Sequence, residues 1–390
     1  MVSGVSVNSI DKPARVGKVG VLKTSSISKG RFFPFENKEI LDTDIKRAKL
    51  NPAKETILIS RMNTPKLVGE IGYVEQNHPQ LFLPDRLWMA TTVASVNSKW
   101  LAYVLVTDKY NSKILNLATG TSNSMKNISK EQFLSLNTFV PDIKEQNKVA
   151  SFLTILDRKI EKQQEKVEKL EQFKKGMMQK IFSQELRFKD EDGNTYPNFA
   201  FGKIRDYLIH LGSGVTPRGG RDVYTDSGVL FIRSQNVYNT GLVLNDIARI
   251  SEEVHKKMKN SKVFSNDVLL NITGASIGRT ALVPKNFPEG NVNQHVCIIR
   301  TKPNLYPAFL KFYLESSIGQ KLIFQDQAGQ TREALNLAQI KAFNVFIPSL
   351  KEQVKISDCF SKIEMKIEKE KEKLMVLDEQ KKGFMQGVFV

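Results

Sequence analysis

The chain has little cysteine and little histidine: two of the first and four of the second in 390 residues. Cys297 and Cys359 lie far apart and do not read as a disulfide framework, which suits a reducing cytoplasm. His78, His210, His255 and His295 stand at no metal-ligand spacing with them, so no metal site is expected. Apolar runs of the ~18 residues that a membrane span requires are missing. The opening MVSGVSVNSIDKPARVGKVG lacks the charged-then-apolar pattern of a secretory signal. Signatures of catalysis are missing as well. GASIGRT (274–280) has three residues between its glycines and an arginine at its end, where a phosphate-binding loop needs four and a lysine. Asn51-Pro52-Ala53-Lys54 stops one proline short of an adenine methyltransferase's Asn-Pro-Pro-aromatic motif. Neither a dinucleotide-type GxGxxG nor a Gly-x-Ser-x-Gly elbow occurs.

Positive charge, by contrast, is abundant. Lysine and arginine number 58 against 41 acidic residues, a net charge of +17. Such a surplus attracts polyanions, because neutralising phosphates releases condensed counterions. A solubilising excess or an acidic protein partner would account for it too.

A repeat is visible by eye. Residues 139–183 (FVPDIKEQNKVASFLTILDRK…) and 346–390 (FIPSLKEQVKISDCFSKIEMK…) align without a gap at a constant offset of 207, with 19 identities in 45 positions. Each copy opens on a proline, Pro141 or Pro348, which cannot sit inside a helix. The Lys-Glu-Gln that follows starts a long helix, its acid favourably placed at the positive end. Asp142 and Glu145 are the acidic residues a metal-dependent nuclease would need, but Asp142 becomes Ser349 in the second copy, so helix initiation is the better reading. Apolar residues then recur every three or four positions: Leu153, Leu156, Ile160, Val167 and Leu170 in the first copy, Phe360, Ile363, Ile367, Leu374 and Leu377 in the second. This is a coiled-coil seam. It is interrupted at matching slots, Gln163 and Glu370, then Lys174 and Lys381. Polar residues there either fix register or face solvent. Two copies related by a pseudo-two-fold would set the helices antiparallel, each about 57 Å long at ~1.5 Å per residue.

The preceding segments are related more weakly. Ser3-Gly4-Val5 matches Ser213-Gly214-Val215, and LISRMNTPKLVGEIGYV (58–74) resembles LLNITGASIGRTALV (269–283) in type, both β-rich runs around a polar glycine-containing loop. The fold expected is therefore α+β: two β-rich globular domains separated by two long antiparallel helices. The boundaries expected are 1–144 for the first domain, 145–184 for the central helix, 185–351 for the second domain and 352–390 for the last helix. About 25 residues, roughly 185–211, precede Ser213-Gly214-Val215 without a counterpart before Ser3. The first domain is thus expected to be shortened at its start, or completed by another segment.

The ordered set of Pro-x-x-KEQ helix starts, the KKGMMQKIFSQELRF exit with its DEDGNTYPNF connector, and the SGVTP…FIRSQNV…NITGASIGRTALVP…NVNQHV series resembles the specificity subunits of type I restriction–modification systems over nearly the whole chain. The resemblance implies a non-catalytic, cytoplasmic bacterial or archaeal protein. Each of its globular domains would read half of a split double-stranded DNA target, and its helices would dock two methyltransferase subunits, with restriction subunits added. S-adenosylmethionine, ATP and Mg²⁺ would belong to those partners, and no cofactor to this chain. An alternative is a shortened subunit that occupies the methyltransferases as a decoy.

Base reading needs forked or amide side chains on rigid loops. In the second domain the candidates are Arg233, Gln235 and Asn236; Thr273, Ser276 and Arg279, with Gly274 and Gly278 permitting the turn; Asn293, Gln294 and His295; and Gln330, Thr331 and Arg332. By position the first domain offers Lys23, Ser25 and Ser26; Arg61, Asn63 and Lys66; Arg86; and Ser122 and Asn123. A structural role in the loop is the competing reading for each.

Overall fold

The computed structural model describes residues 1–120, 124–217, 223–325 and 334–389. It divides into two units, Met1–Gln163 with Lys373–Val390, and Gln164–Glu372. In the first unit the strand Thr56–Ser60 is buried at every position, as its apolar run TILIS requires of a strand covered on both faces. It lies between Leu87–Ala90 and Ile71–Val74, antiparallel to both. The six-stranded sheet continues outward to Val2–Ser3 on one side, and to Gly30–Phe32 and Ile27–Ser28 on the other. The helix Ser98–Leu105 covers it and buries Trp100, Ala102, Val104 and Leu105. The Asn97 side chain caps that helix by accepting from Trp100 N at 2.9 Å.

The second unit repeats the plan. Val268–Asn271, fully buried, runs antiparallel to Val296–Thr301 and Thr280–Leu282. The covering helix is Pro307–Glu315, whose first position suits proline because an amide there has no helical partner. Phe309, Leu310, Phe312, Tyr313 and Leu314 fill the core beneath it. The matched Ser-Gly-Val segments have a steric cause. A Cβ on Gly4 would stand 1.8 Å from the Leu83 carbonyl oxygen, and one on Gly214 would stand 1.7 Å from that of Val292. In each unit the chain passes so close to another backbone segment that only glycine fits.

The long helices span Ile143–Phe182 and Leu350–Val388, each starting two residues before the expected boundary. Asp142 accepts a hydrogen bond from Glu145 N (2.8 Å) and Ser349 one from Glu352 N (3.4 Å). Both are N-caps, which explains why aspartate and serine exchange at this position. Within the first unit Phe152 meets Phe384 edge-on at 5.1 Å, and Asp157 pairs with Lys381 at 2.6 Å. Within the second, Lys166 pairs with Glu370 at 3.0 Å, Lys174 with Glu364 at 2.7 Å, and Phe182 stacks on Phe360 at 5.9 Å. Numbers rise along one helix as they fall along the other, so the portions in each unit run antiparallel. Leu153, Leu156, Ile160, Val167, Phe360 and Ile367 of the seam are buried. Leu170, Ile363, Leu374 and Leu377 are half-buried.

The interrupting lysines do not face solvent. Side-chain exposure is 14% at Lys174 and 20% at Lys381. Each binds the acid that occupies one common slot in the repeat, Glu364 or Asp157. Burial pulls the Lys174 ammonium down, but Glu315 and Glu364 more than reverse this and hold it above its ordinary 10.5. Among the described residues no helix is long and apolar enough to cross a membrane.

Candidate nucleic-acid interface

Three loops of the second unit converge at the ends of its strands. The strand Val268–Asn271 ends in a buried amide, Asn271, whose Nδ2 donates to the Ser234 carbonyl at 2.8 Å. This ties the 271–280 loop to the 233–236 loop. Asn293 N donates to the Ile232 carbonyl at 3.0 Å, and Ile272 N to that of His295 at 3.0 Å, which brings in the 293–295 loop. Thr273 Oγ1 lies against His295 Nδ1, and Thr216 against Gln294. Gly274 and Gly278 both have positive φ, +70° and +85°, so the tight turn they were expected to permit is present. Arg279 lies over the Tyr238 ring at 4.8 Å, and Arg233 over Tyr224 at 5.9 Å. These cation–π contacts brace the guanidinium groups without consuming their donors.

The candidate residues separate by exposure. Gln235 and Gln294 are exposed, while Arg233, Thr273, Ser276, Arg279 and His295 are half-buried. Asn236 and Asn293 turn inward, with 3% and 8% exposure. Asn236 donates to the Val243 carbonyl and accepts from Arg233 N; Asn293 accepts from His295 N. They hold the loops rather than extend from them. Gln330, Thr331 and Arg332 lie outside the described residues.

In the first unit Arg61 N donates to the Arg86 carbonyl, and Ile128 N to the Arg61 carbonyl, so these segments adjoin. Lys66 and Arg86 are exposed. The half-buried Arg61 lies over Trp88 at 5.9 Å. Asn63 is 8% exposed and donates to Ser60 Oγ at 3.2 Å, an inward placement like those of Asn236 and Asn293. Lys23 and Ser25 sit apart from this group. Their chain leads into the opposite edge strand Ile27–Ser28, and both bind Glu36. Ser26 is fully buried. Ser122 and Asn123 lie outside the described residues.

Sequence reasoning missed one pair of residues that fix the start of each long helix within its unit. Gln146 and Gln353 are completely buried. Gln353 Nε2 donates to the carbonyls of Asn304 and Pro348 (3.1 and 2.9 Å), and its Oε1 accepts from Tyr306 N at 2.7 Å. Gln146 does the same with Ser95 and Pro141 (3.0 and 2.8 Å) and with Asn97 N at 2.8 Å. Each glutamine thus clasps the start of a long helix to the covering helix of its own unit. The available signal was the identity of the Lys-Glu-Gln triplets at offset 207.

The thiols and one of the histidines have structural surroundings. Burial pushes the Cys297 and Cys359 thiols up, away from the thiolate a nucleophile needs. His255, 2% exposed, is held between Asn291 and Glu289 as a structural group. Among the described residues no group of three His, Cys, Asp or Glu is placed to hold a metal.

A family model described as the type I restriction modification DNA specificity domain matches residues 9–172 and again 203–378. The chain is 34% identical over 132 residues to the EcoBI specificity subunit of a type I restriction enzyme from Escherichia coli, a match covering 33% of this chain and 27% of that one. It is 23% identical over 342 residues to a putative type I restriction enzyme specificity subunit, MjaX, from Methanocaldococcus jannaschii, covering 84% of this chain and 76% of the relative. Its fold is similar to the crystal structure of a type I restriction-modification S subunit from M. genitalium, with TM-score 0.62 and 15% identity over 100% of this chain and 93% of that one.

Proposed function

Because the chain belongs to the type I restriction–modification DNA specificity family, we propose that its two units read two halves of one bipartite duplex target while its long helices set the unread spacer and dock methyltransferase subunits. One observation carries this reading. Three loops of the second unit, far apart in sequence, are knit by Asn271, Ile272 and Asn293 into one group, and these loops carry Arg279, Arg233, Gln235 and Gln294. Forked and amide side chains of that kind can pair with guanine and adenine edges in the major groove. The net charge of +17 supplies affinity for phosphate. Arg61, Lys66 and Arg86 are the corresponding choice in the first unit. Asn63, Asn236 and Asn293 serve as loop scaffolds.

Two experiments separate these roles. Inserting seven residues in each long helix preserves seam phase and adds about 10 Å of helix, or about three base pairs. Methylation mapping of the reconstituted complex should show a spacer longer by that amount with unchanged half-sites. Altered half-site sequences would refute the division of labour. At the reading face, Arg279→Ala should weaken specific binding by about 1–3 kcal/mol and relax a single base position. Lys66→Ala should weaken all sequences alike and reduce the salt slope by about one. Titrations across salt concentration and base substitution give both readouts, and a uniform loss from Arg279→Ala would contradict its assigned role.

A further inference from the structure

The two units differ at one face. In the second, residues 185–203 form a strap. Arg187 makes a two-pronged ion pair with Glu352 (3.0 and 2.7 Å), lies over Phe199 at 4.8 Å, and is raised above its ordinary pKa by the Glu352 hydrogen bond. Lys355 Nζ donates to the Lys189 carbonyl at 2.7 Å. The strand Ala200–Lys203 then adds antiparallel to Asn344–Ile347, with the rings of Phe201 and Phe346 at 5.1 Å. Beneath this cover Glu352 is 1% exposed, Val345 0% and Ile347 4%.

At the offset of 207 the same positions in the first unit are Glu145, Thr138 and Val140, with Phe139 in place of Phe346. No strand pairs with residues 137–140 among the described residues. Phe139 is 92% and Val140 49% exposed, and Glu145 is exposed with no ion pair among the described residues. The chain's own first strand, Val2–Ser3, is engaged elsewhere, on Leu87–Ala90.

We propose that residues 137–140 together with Glu145 form a docking site for an extended segment of another polypeptide built like this chain's strap: an arginine beside an aromatic residue, then a short aromatic-bearing strand. The arginine takes Glu145 through paired charged hydrogen bonds. The strand adds to the open backbone edge of 137–140, with an aromatic side chain against Phe139. An open edge carrying large apolar groups otherwise invites unspecific pairing, so a specific cover has a physical purpose.

A synthetic peptide with the sequence of residues 185–204, added to the full chain, tests this. Binding should be saturable and should slow amide exchange at 137–140. Glu145→Gln in the chain, or Arg187→Ala in the peptide, should weaken it about tenfold, and Phe139→Asp should abolish it. Chain Glu145→Arg with peptide Arg187→Glu should restore it. Both chain positions are exposed, so circular dichroism should be unchanged. Absence of binding, or binding indifferent to Phe139→Asp, overturns the proposal. Protection at 344–347 instead would mean that the peptide displaces the resident strap, and concentration-dependent dimers with exchanged straps would make a second copy the occupant; either outcome also overturns it. None of these outcomes depends on DNA binding.

Discussion

Gln353→Ala is expected to destabilise the second unit by about 2–3 kcal/mol, because it removes the partner of three backbone groups at once, and an orphan costs ~1–3 kcal/mol where it is buried, as at Pro348, and less where water reaches it. The groups are the carbonyls of Asn304 and Pro348 and the amide of Tyr306. Gln353 is completely buried, so its truncation also opens a cavity at the helix start. Gln353→Glu should do no better, since a carboxylate can accept from Tyr306 N but repels two carbonyl oxygens. Urea unfolding read by amide exchange should show the loss in residues 164–372, the span of that unit. Gln146→Ala should reproduce it in the other unit. A loss below about 1 kcal/mol would mean that the clasp is incidental to helix docking.

Lys174→Met should cost about 3–5 kcal/mol, the usual result of removing one partner from a buried ionic group. Lys174 and Lys311 bridge Glu315 and Glu364, with side-chain exposures of 14%, 6%, 12% and 28%. Without Lys174, two carboxylates share one ammonium. The pKa of Lys174 in the folded chain is raised above 10.5, so its contribution is complete below that pH and fades as pH rises past it. Thermal unfolding at pH 7 and above pH 11 should therefore show the wild-type advantage shrinking at the higher value. A cycle with Glu364→Gln should give strong coupling. Additive losses would show that Lys174 acts through its alkyl stem alone.

The helices and their pairing were legible because a 207-residue offset repeats both seam and punctuation. Pro141 and Pro348 mark the starts, and the apolar spacing marks the faces. The lysines at seam slots were visible as interruptions, but their partners were not: Glu364 and Asp157 sit on another part of the chain, and only packing brings them within 2.7 and 2.6 Å. The strand plan was largely hidden. Most strands are two to four residues long, and some pair in parallel, as Gly30–Phe32 does with Ile71–Val74. Periodicity cannot register over so few residues. Among the loop residues, asparagine misled for a local reason. Asn63, Asn236 and Asn293 bond to groups two or three residues away, the same habit that makes asparagine common in turns. Sequence reveals the loop but not which way its amide turns.

The first unit is discontinuous, needing Lys373–Val390 to join Met1–Gln163, whereas the second is one unbroken stretch. On a ribosome, then, the order of completion inverts the order of numbering. Residues 164–372 emerge with everything they require, while Leu153 and Leu156 must wait for Met385 and Phe389, which are translated after them. Chains truncated just short of Lys373 and released should carry a finished second half and a sticky, unfinished first half, the state most exposed to chaperones and to aggregation.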